Sequence, residues 1–133
     1  MTDKSMRILC LDDNEIISEC CQQFLQEEGY IVLVSTDSDD ALDILRTGEI
    51  DMVIQDYNRP GLNGGGLLKV MKADDELKNI PVIISSACEK DWVAKKLREF
   101  DIEIDHDLAG FIKKPFKVQD FVALVRHIVK SIL

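Results

Sequence analysis

Asp56 follows the apolar run Met52-Val53-Ile54 and leads into the turn Asn58-Arg59-Pro60-Gly61. A carboxylate at the end of a buried strand costs desolvation energy unless something compensates it. The compensating candidates are spread along the chain: the acidic pair Asp12-Asp13, the hydroxyls Ser85-Ser86, and Lys114 in Lys113-Lys114-Pro115-Phe116. Each sits at or just past the end of a short apolar stretch. A carboxylate nucleophile, two metal-binding carboxylates, a hydroxyl and an ammonium together suit the uptake of a phosphoryl group.

Three carboxylates in one small volume repel each other, and burial adds to that cost. A hard divalent cation relieves both, and oxygen-only ligands point to Mg²⁺. Asp13 and Asp56 are the expected direct ligands, with Asp12 holding a coordinated water. Lys114 is expected to offer a point charge to the phosphoryl oxygens or to Asp56, and Ser86 a hydroxyl hydrogen bond. Phosphoryl transfer asks for this kind of positioning and charge stabilisation more than for covalent machinery.

These residues need a scaffold that brings strand ends together. Two hydrophobic periods alternate along the chain. Apolar runs at Arg7–Leu11, 30–34, Met52–Asp56, 81–85 and 110–112 predict five strands. Between them, Ile16, Ile17, Cys20, Cys21, Phe24 and Leu25 recur at helical spacing, with Asn14 as N-cap and Gly29 as stop. Further helices carry Ala41, Leu42 and Leu45 (capped near Ser38 and ended by Gly48), then Leu67, Leu68 and Met71, then Trp92, Val93 and Leu97. The last holds Val118, Phe121, Val122, Val125, Ile128, Val129 and Ile132 on one stripe. Strands alternating with helices imply an α/β, doubly wound sandwich of three layers, its parallel sheet buried on both faces. Ligands of such sheets bind beyond the carboxyl ends of the strands, where all the residues singled out lie.

At 133 residues the chain suits one domain, and 46% apolar with 31% charged residues excludes wholesale disorder. A net charge of −9 without a basic stripe argues against direct nucleic-acid binding; Lys95-Lys96 reads as a solvated helix face. The longest apolar runs reach five residues, too short for a bilayer, so no membrane insertion and a cytoplasmic location are expected. Cys10, Cys20, Cys21 and Cys88 lack CxxC spacing and read as reduced thiols, mostly small core residues. His106 and His127 read as isolated surface histidines.

Four motifs in this order resemble the receiver domain of two-component response regulators, of the CheY-like family, over essentially the full length. They are Leu11-Asp12-Asp13-Asn14, Asp56 through Gly64, Ser86-Ala87 and Lys114-Pro115-Phe116. The resemblance implies a flavodoxin-like (βα)5 fold with strand order 2-1-3-4-5 and a single receiver domain at 1–133. It implies that Asp56 is the phosphoacceptor, supplied by a histidine kinase or a histidine phosphotransfer protein. Mg²⁺ would then be ligated by Asp13, Asp56 and the backbone carbonyl of Asn58. Ser86 would be the switch hydroxyl, Phe111 the switch aromatic and Lys114 the family's phosphoryl-contacting lysine. The resemblance also favours a cis Lys114-Pro115 bond. Signalling would run through the face of the fourth helix, fifth strand and last helix, to a downstream protein partner or through a homodimer. No output segment follows Leu133, so the expectation is action through a partner, or excision from a longer protein.

Some positions depart from the family. Arg59 replaces a methionine common before the loop proline, Asn63 replaces a frequent Asp, and Cys88 lacks the charge or amide often found there. Gly64-Gly65-Gly66 should loosen the start of the third helix. The Ser86-to-Lys114 spacing is longer than usual, and the extra stretch 100–108 carries Asp101, Glu103, Asp105 and Asp107. It is expected to reshape the signalling face or to block the usual dimer contact. Two other readings stand beside this one. The first is an aspartyl-phosphate phosphohydrolase, whose acid/base Asp two residues after the nucleophile is here Asn58. The second is a phosphorylation-independent binding module of receiver architecture.

Overall fold

A computed structural model describes residues 6–12, 15–57 and 64–132, without the side chains of 15–18. The elements run β1 (Arg7–Leu11), α1 (Glu15–Glu27), β2 (Ile31–Ser35), α2 (Ser38–Thr47), β3 (Met52–Asp56), α3 (Gly64–Ala73), β4 (Val82–Ser86), α4 (Lys90–Arg98), α5 (Ile104–Asp107), β5 (Gly110–Lys113) and α6 (Val118–Ile132). All pairings are parallel, in the order β2-β1-β3-β4-β5. The doubly wound (βα)5 sandwich expected from the sequence is therefore present, with one added helical turn, α5.

Alternation along the strands sends successive side chains to opposite faces. Leu9, Leu11, Val53, Val82 and Ile84 pack with residues of α2, α3, α4 and α5. Ile8, Cys10, Met52, Ile54 and Ile83 pack with Leu25 of α1 and Phe121, Val125, Ile128 and Val129 of α6. The expectation of strands buried on both faces holds for the centre but fails for β2. It is an edge strand, and Ile31 and Val34 stand 42% and 40% exposed.

Helix ends follow local chemistry. Asp37 caps α2 by accepting the Asp40 N–H at 2.8 Å. Gly29, at φ +95°, closes α1 with the Tyr30 N–H on Leu25 O and the Gly29 N–H on Gln26 O, a Schellman arrangement. The predicted N-cap Asn14 lies outside the described residues. Among the described residues no helix is long and apolar enough to cross a membrane. All four cysteines are thiols; Cys10 is buried, Cys21 and Cys88 pack partly buried against the core, and Cys20, exposed, departs from the reading as core residues. His106 and His127 are exposed.

The stretch 100–108 is not simply an acidic surface loop. Ile102, Ile104 and Leu108 are buried in the α2–α5 side of the core. Asp101 and Asp105 do face solvent. Asp105 pairs with Lys90 at 2.9 Å and Glu103 with Arg98 at 3.6 Å. Apolar residues between the acids, at 102, 104 and 108, carry the burial that the charge pattern alone concealed.

Candidate functional site

The ladder continues past the strand ends and holds the site residues in place. Asp12 N–H reaches Ser35 O, Tyr57 N–H reaches Ser85 O at 2.8 Å, and Lys114 N–H reaches Ser86 O at 2.7 Å. Asp12, Asp56, Ser86 and Lys114 therefore meet at the carboxyl edge of the sheet, as the sequence predicts. The Lys114-Pro115 bond is cis.

Lys114 is the centre of the cluster. Its Nζ donates to Asp56 Oδ1 at 2.7 Å and to Asp12 Oδ2 at 3.1 Å. The three side chains are only 13%, 8% and 11% exposed for Lys114, Asp56 and Asp12. Burial alone would lower the Lys114 pKa, but the hydrogen bond and charge of Asp56, then those of Asp12, outweigh it and hold the ammonium above its ordinary value. The lysine is therefore a fixed cation at neutral pH, and it links the two acids that the sequence places 44 residues apart.

Asp13 and Asn58, two of the expected metal ligands, lie outside the described residues, as do Arg59 and Asn63. Among the described residues no group of three His, Cys, Asp or Glu could hold a metal. The described part of the donor set is nevertheless of the right kind. Asp12 and Asp56 present carboxylate oxygens against a single ammonium, an oxygen-only pair that suits a hard cation such as Mg²⁺.

Ser86 and Ser85 part company. Strand alternation puts Ser85 on the same face as its register partner Asp56, and Ser86 on the opposite face with Tyr57. The Ser86 hydroxyl, fully buried, donates to the Tyr57 backbone carbonyl and accepts the Cys88 N–H at 3.0 Å. β4 runs to Ser86, one residue further than the sequence suggested. Phe111 on β5 is partly buried against the α2–α5 side of the core.

Three neighbours complete the site: Ser85, already a candidate beside Asp56, Phe116 of the lysine motif, and Cys21, which the sequence alone does not place there. A cavity of about 20 Å³ is lined by Asp12, Asp56, Ser85, Cys21 and Phe116, among others. Ser85 Oγ is buried with no hydrogen-bond partner among the described residues. Cys21 is pushed up to about 11 by burial and then by the charge of Asp12, so its thiol stays protonated at neutral pH. Phe116 stacks on Phe121, with ring centroids 5.1 Å apart. Ser85 was legible in principle: aligning the two strand ends and counting by twos places it beside Asp56. Cys21 and Phe116 carry no such signal, because helix and loop packing decide their approach.

Residues 8–126 match the family model of the response regulator receiver domain. The chain is 35% identical over 116 residues to the chemotaxis protein CheY-3 of Vibrio cholerae, across 86% of this chain and 84% of that protein. It is 26% identical over 119 residues to the polar-differentiation response regulator DivK of Brucella anthropi, across 90% and 92% of the two chains. A solved structure of the chemotaxis response regulator CheY4 of Vibrio cholerae matches with a TM-score of 0.80 over 94% of this chain and 99% of that one. At 20% identity, that likeness is one of fold.

Proposed function

The chain belongs to the response regulator receiver domain family, and from that premise we propose that Asp56 is the phosphoacceptor of a signalling switch. The observation that carries this reading is the buried contact of Lys114 Nζ with both Asp56 and Asp12 at the carboxyl edge of the sheet. The family's general role is that of a signalling receiver in two-component systems, working with histidine kinases and downstream targets. For this chain the donor would be a histidine kinase or a histidine phosphotransfer protein.

In the proposed reaction the Asp56 carboxylate attacks phosphorus, a P–O bond to Asp56 forms, and the bond to the donor nitrogen or oxygen breaks. Lys114 holds the carboxylate in place and offsets the charge that gathers on the phosphoryl oxygens. Asp13, Asp56 and the Asn58 carbonyl would hold Mg²⁺, with Asp12 on a coordinated water, and the ion would neutralise the incoming phosphoryl group. Ser86 would leave the Tyr57 carbonyl for a phosphoryl oxygen, and Phe111 would follow into the space vacated. The aspartyl phosphate carries about −1.5 to −2 charges where the carboxylate carried one, so the site gains up to about one negative charge together with three phosphoryl oxygens. Water attack on phosphorus would return the carboxylate slowly and release inorganic phosphate.

The same proposal takes 1–133 as one receiver unit that signals through the α4–β5–α6 face, to a downstream protein or to a second copy. It is tested by intact mass after incubation with acetyl phosphate, with and without Mg²⁺, on the wild type and Asp56→Asn. A single phosphoryl adduct requiring both Mg²⁺ and Asp56 is expected. No adduct under any condition would instead favour a phosphorylation-independent binding module.

A further inference from the structure

Seven residues, 57–63, join the end of β3 at Asp56 to the start of α3 at Gly64. The chain leaving Asp56 thus leads directly into the opening turn of α3. That turn is built from Gly64, Gly65 and Gly66 and has little conformational preference of its own. It is braced from outside. Gly65 is buried, and a Cβ placed there would lie 2.3 Å from both Cδ2 and Cε2 of Phe100. The Phe100 ring occupies the space a side chain would take, so glycine at 65 serves a close approach. At Gly65 the close approach adds a second role to the loosening expected of the three glycines.

Phe100 is held equally firmly at its own end. The Ile102 N–H bonds Leu97 O and the Asp101 N–H bonds Arg98 O, with Asp101 in the left-handed region at φ +63°. This is a Schellman closure of α4, and its apolar partners Leu97 and Ile102 are both buried in the core. Phe100 lies inside that closure, so it cannot shift without disturbing the end of α4 or the segment leading to α5. The Phe100 ring is partly buried against this core, and close packing passes displacement on rather than absorbing it.

We propose that the Gly65–Phe100 contact carries the phosphorylation state of Asp56 from the first turn of α3 to α4, which makes Phe100 a positioning residue for the readout. The inference rests on the reading of Asp56 as phosphoacceptor. It gives the lengthened stretch after α4 a role in transmission. The route runs on the α3 side and is separate from the Ser86 hydroxyl.

The single tryptophan, Trp92, sits on α4 with Lys96 Nζ 5.6 Å from its ring centroid, and reports on that helix directly. The experiment follows Trp92 emission during reaction with acetyl phosphate and Mg²⁺, with adduct occupancy measured by mass on the same samples. The wild type, Phe100→Leu and Gly65→Ala are compared, the two variants attacking the contact from opposite sides. Wild type is expected to form the adduct with a change in Trp92 emission. Both variants are expected to stay folded and form the adduct, with the emission change reduced by more than half at equal occupancy. An undiminished response in both variants, or no response in phosphorylated wild type, overturns the coupling while leaving the phosphoacceptor reading intact. Absence of any adduct in wild type overturns both.

Discussion

Ser86 donates its hydroxyl to the backbone carbonyl of Tyr57, the residue directly after Asp56. The same oxygen accepts the Cys88 N–H, so one buried hydroxyl ties the end of β4 to the end of β3 and to the turn that leads into α4. In this arrangement the hydroxyl is committed to the backbone. Recruitment by a phosphoryl group would exchange one strong acceptor for another.

Ser86→Ala removes both bonds at once. A net loss of about 1–3 kcal/mol is expected from the unmade hydrogen bonds at this buried position, read as a lower midpoint in urea unfolding. Ser86→Thr should recover most of it. A midpoint unchanged in Ser86→Ala would mean that the Tyr57 and Cys88 contacts contribute nothing to the resting fold.

Lys114→Met leaves Asp12 and Asp56 facing each other without the ammonium. Breaking a buried ion pair typically costs about 3–5 kcal/mol, and the residual exposure of these groups places the expected loss near the lower end. Added Mg²⁺ should restore part of it, since a hard cation can take over the charge balance. The pH dependence has a definite sign. The Lys114 pKa is raised in the folded protein, so its contribution is fully present below the unfolded lysine value of about 10.4. It is lost as pH rises through the higher folded value. The stability gap between wild type and Lys114→Met should therefore hold through neutral pH and close in strong alkali.

Much of this site was legible because strand ends are legible. Asp12, Asp56, Ser86 and Lys114 each follow a short apolar run, and a parallel sheet must gather such positions at one edge. What the sequence concealed depends on packing across elements. The burial of Ile102, Ile104 and Leu108 was masked by the acids between them, and the second role of Gly65 appears only once Phe100 is seen against it. β2 read as buried on both faces because Ile31 and Val34 are as apolar as core residues, yet its place at the edge of the sheet leaves both partly exposed. The hydrogen-bond choice of Ser86 over Ser85 follows from register, which is a property of the strand pair and not of either strand alone.

Ser85→Ala is expected to behave unlike Ser86→Ala. The Ser85 hydroxyl is buried without a partner among the described residues, and its removal relieves a desolvation cost of about 1–3 kcal/mol instead of breaking a bond. Unfolding free energy should be unchanged or modestly higher. A clear loss of stability would mean that the small cavity beside Asp56 and Ser85 holds a water bonded to this hydroxyl.

Ile102→Ala tests whether the stretch after α4 belongs to the core. Ile102 is 1% exposed, and truncating a buried isoleucine costs about 2–5 kcal/mol. Asp101→Asn, on the exposed side of the same turn, should leave stability within about 0.5 kcal/mol of wild type. Equal, small effects from both would return the segment to the status of a surface loop.

Asp107 gives the α5 turn its own acid response. Its Oδ2 accepts the Glu103 N–H at 2.7 Å, closing the single turn from the inside. That backbone hydrogen bond outweighs the opposing effect of burial and, with help from His106, holds the Asp107 carboxyl below its ordinary value. A depressed folded pKa means that the bond stabilises the turn fully above the unfolded carboxyl value of about 3.9. The contribution disappears as pH falls through the lower folded value. The Glu103 amide resonance should therefore hold its position from neutral pH down to about pH 4 and move only below that. In Asp107→Asn this movement should be absent while the rest of the spectrum titrates as before. An amide that moves near pH 5 or above in wild type would show that the carboxyl is not held down, and that α5 is fixed by the burial of Ile104 and Leu108 alone.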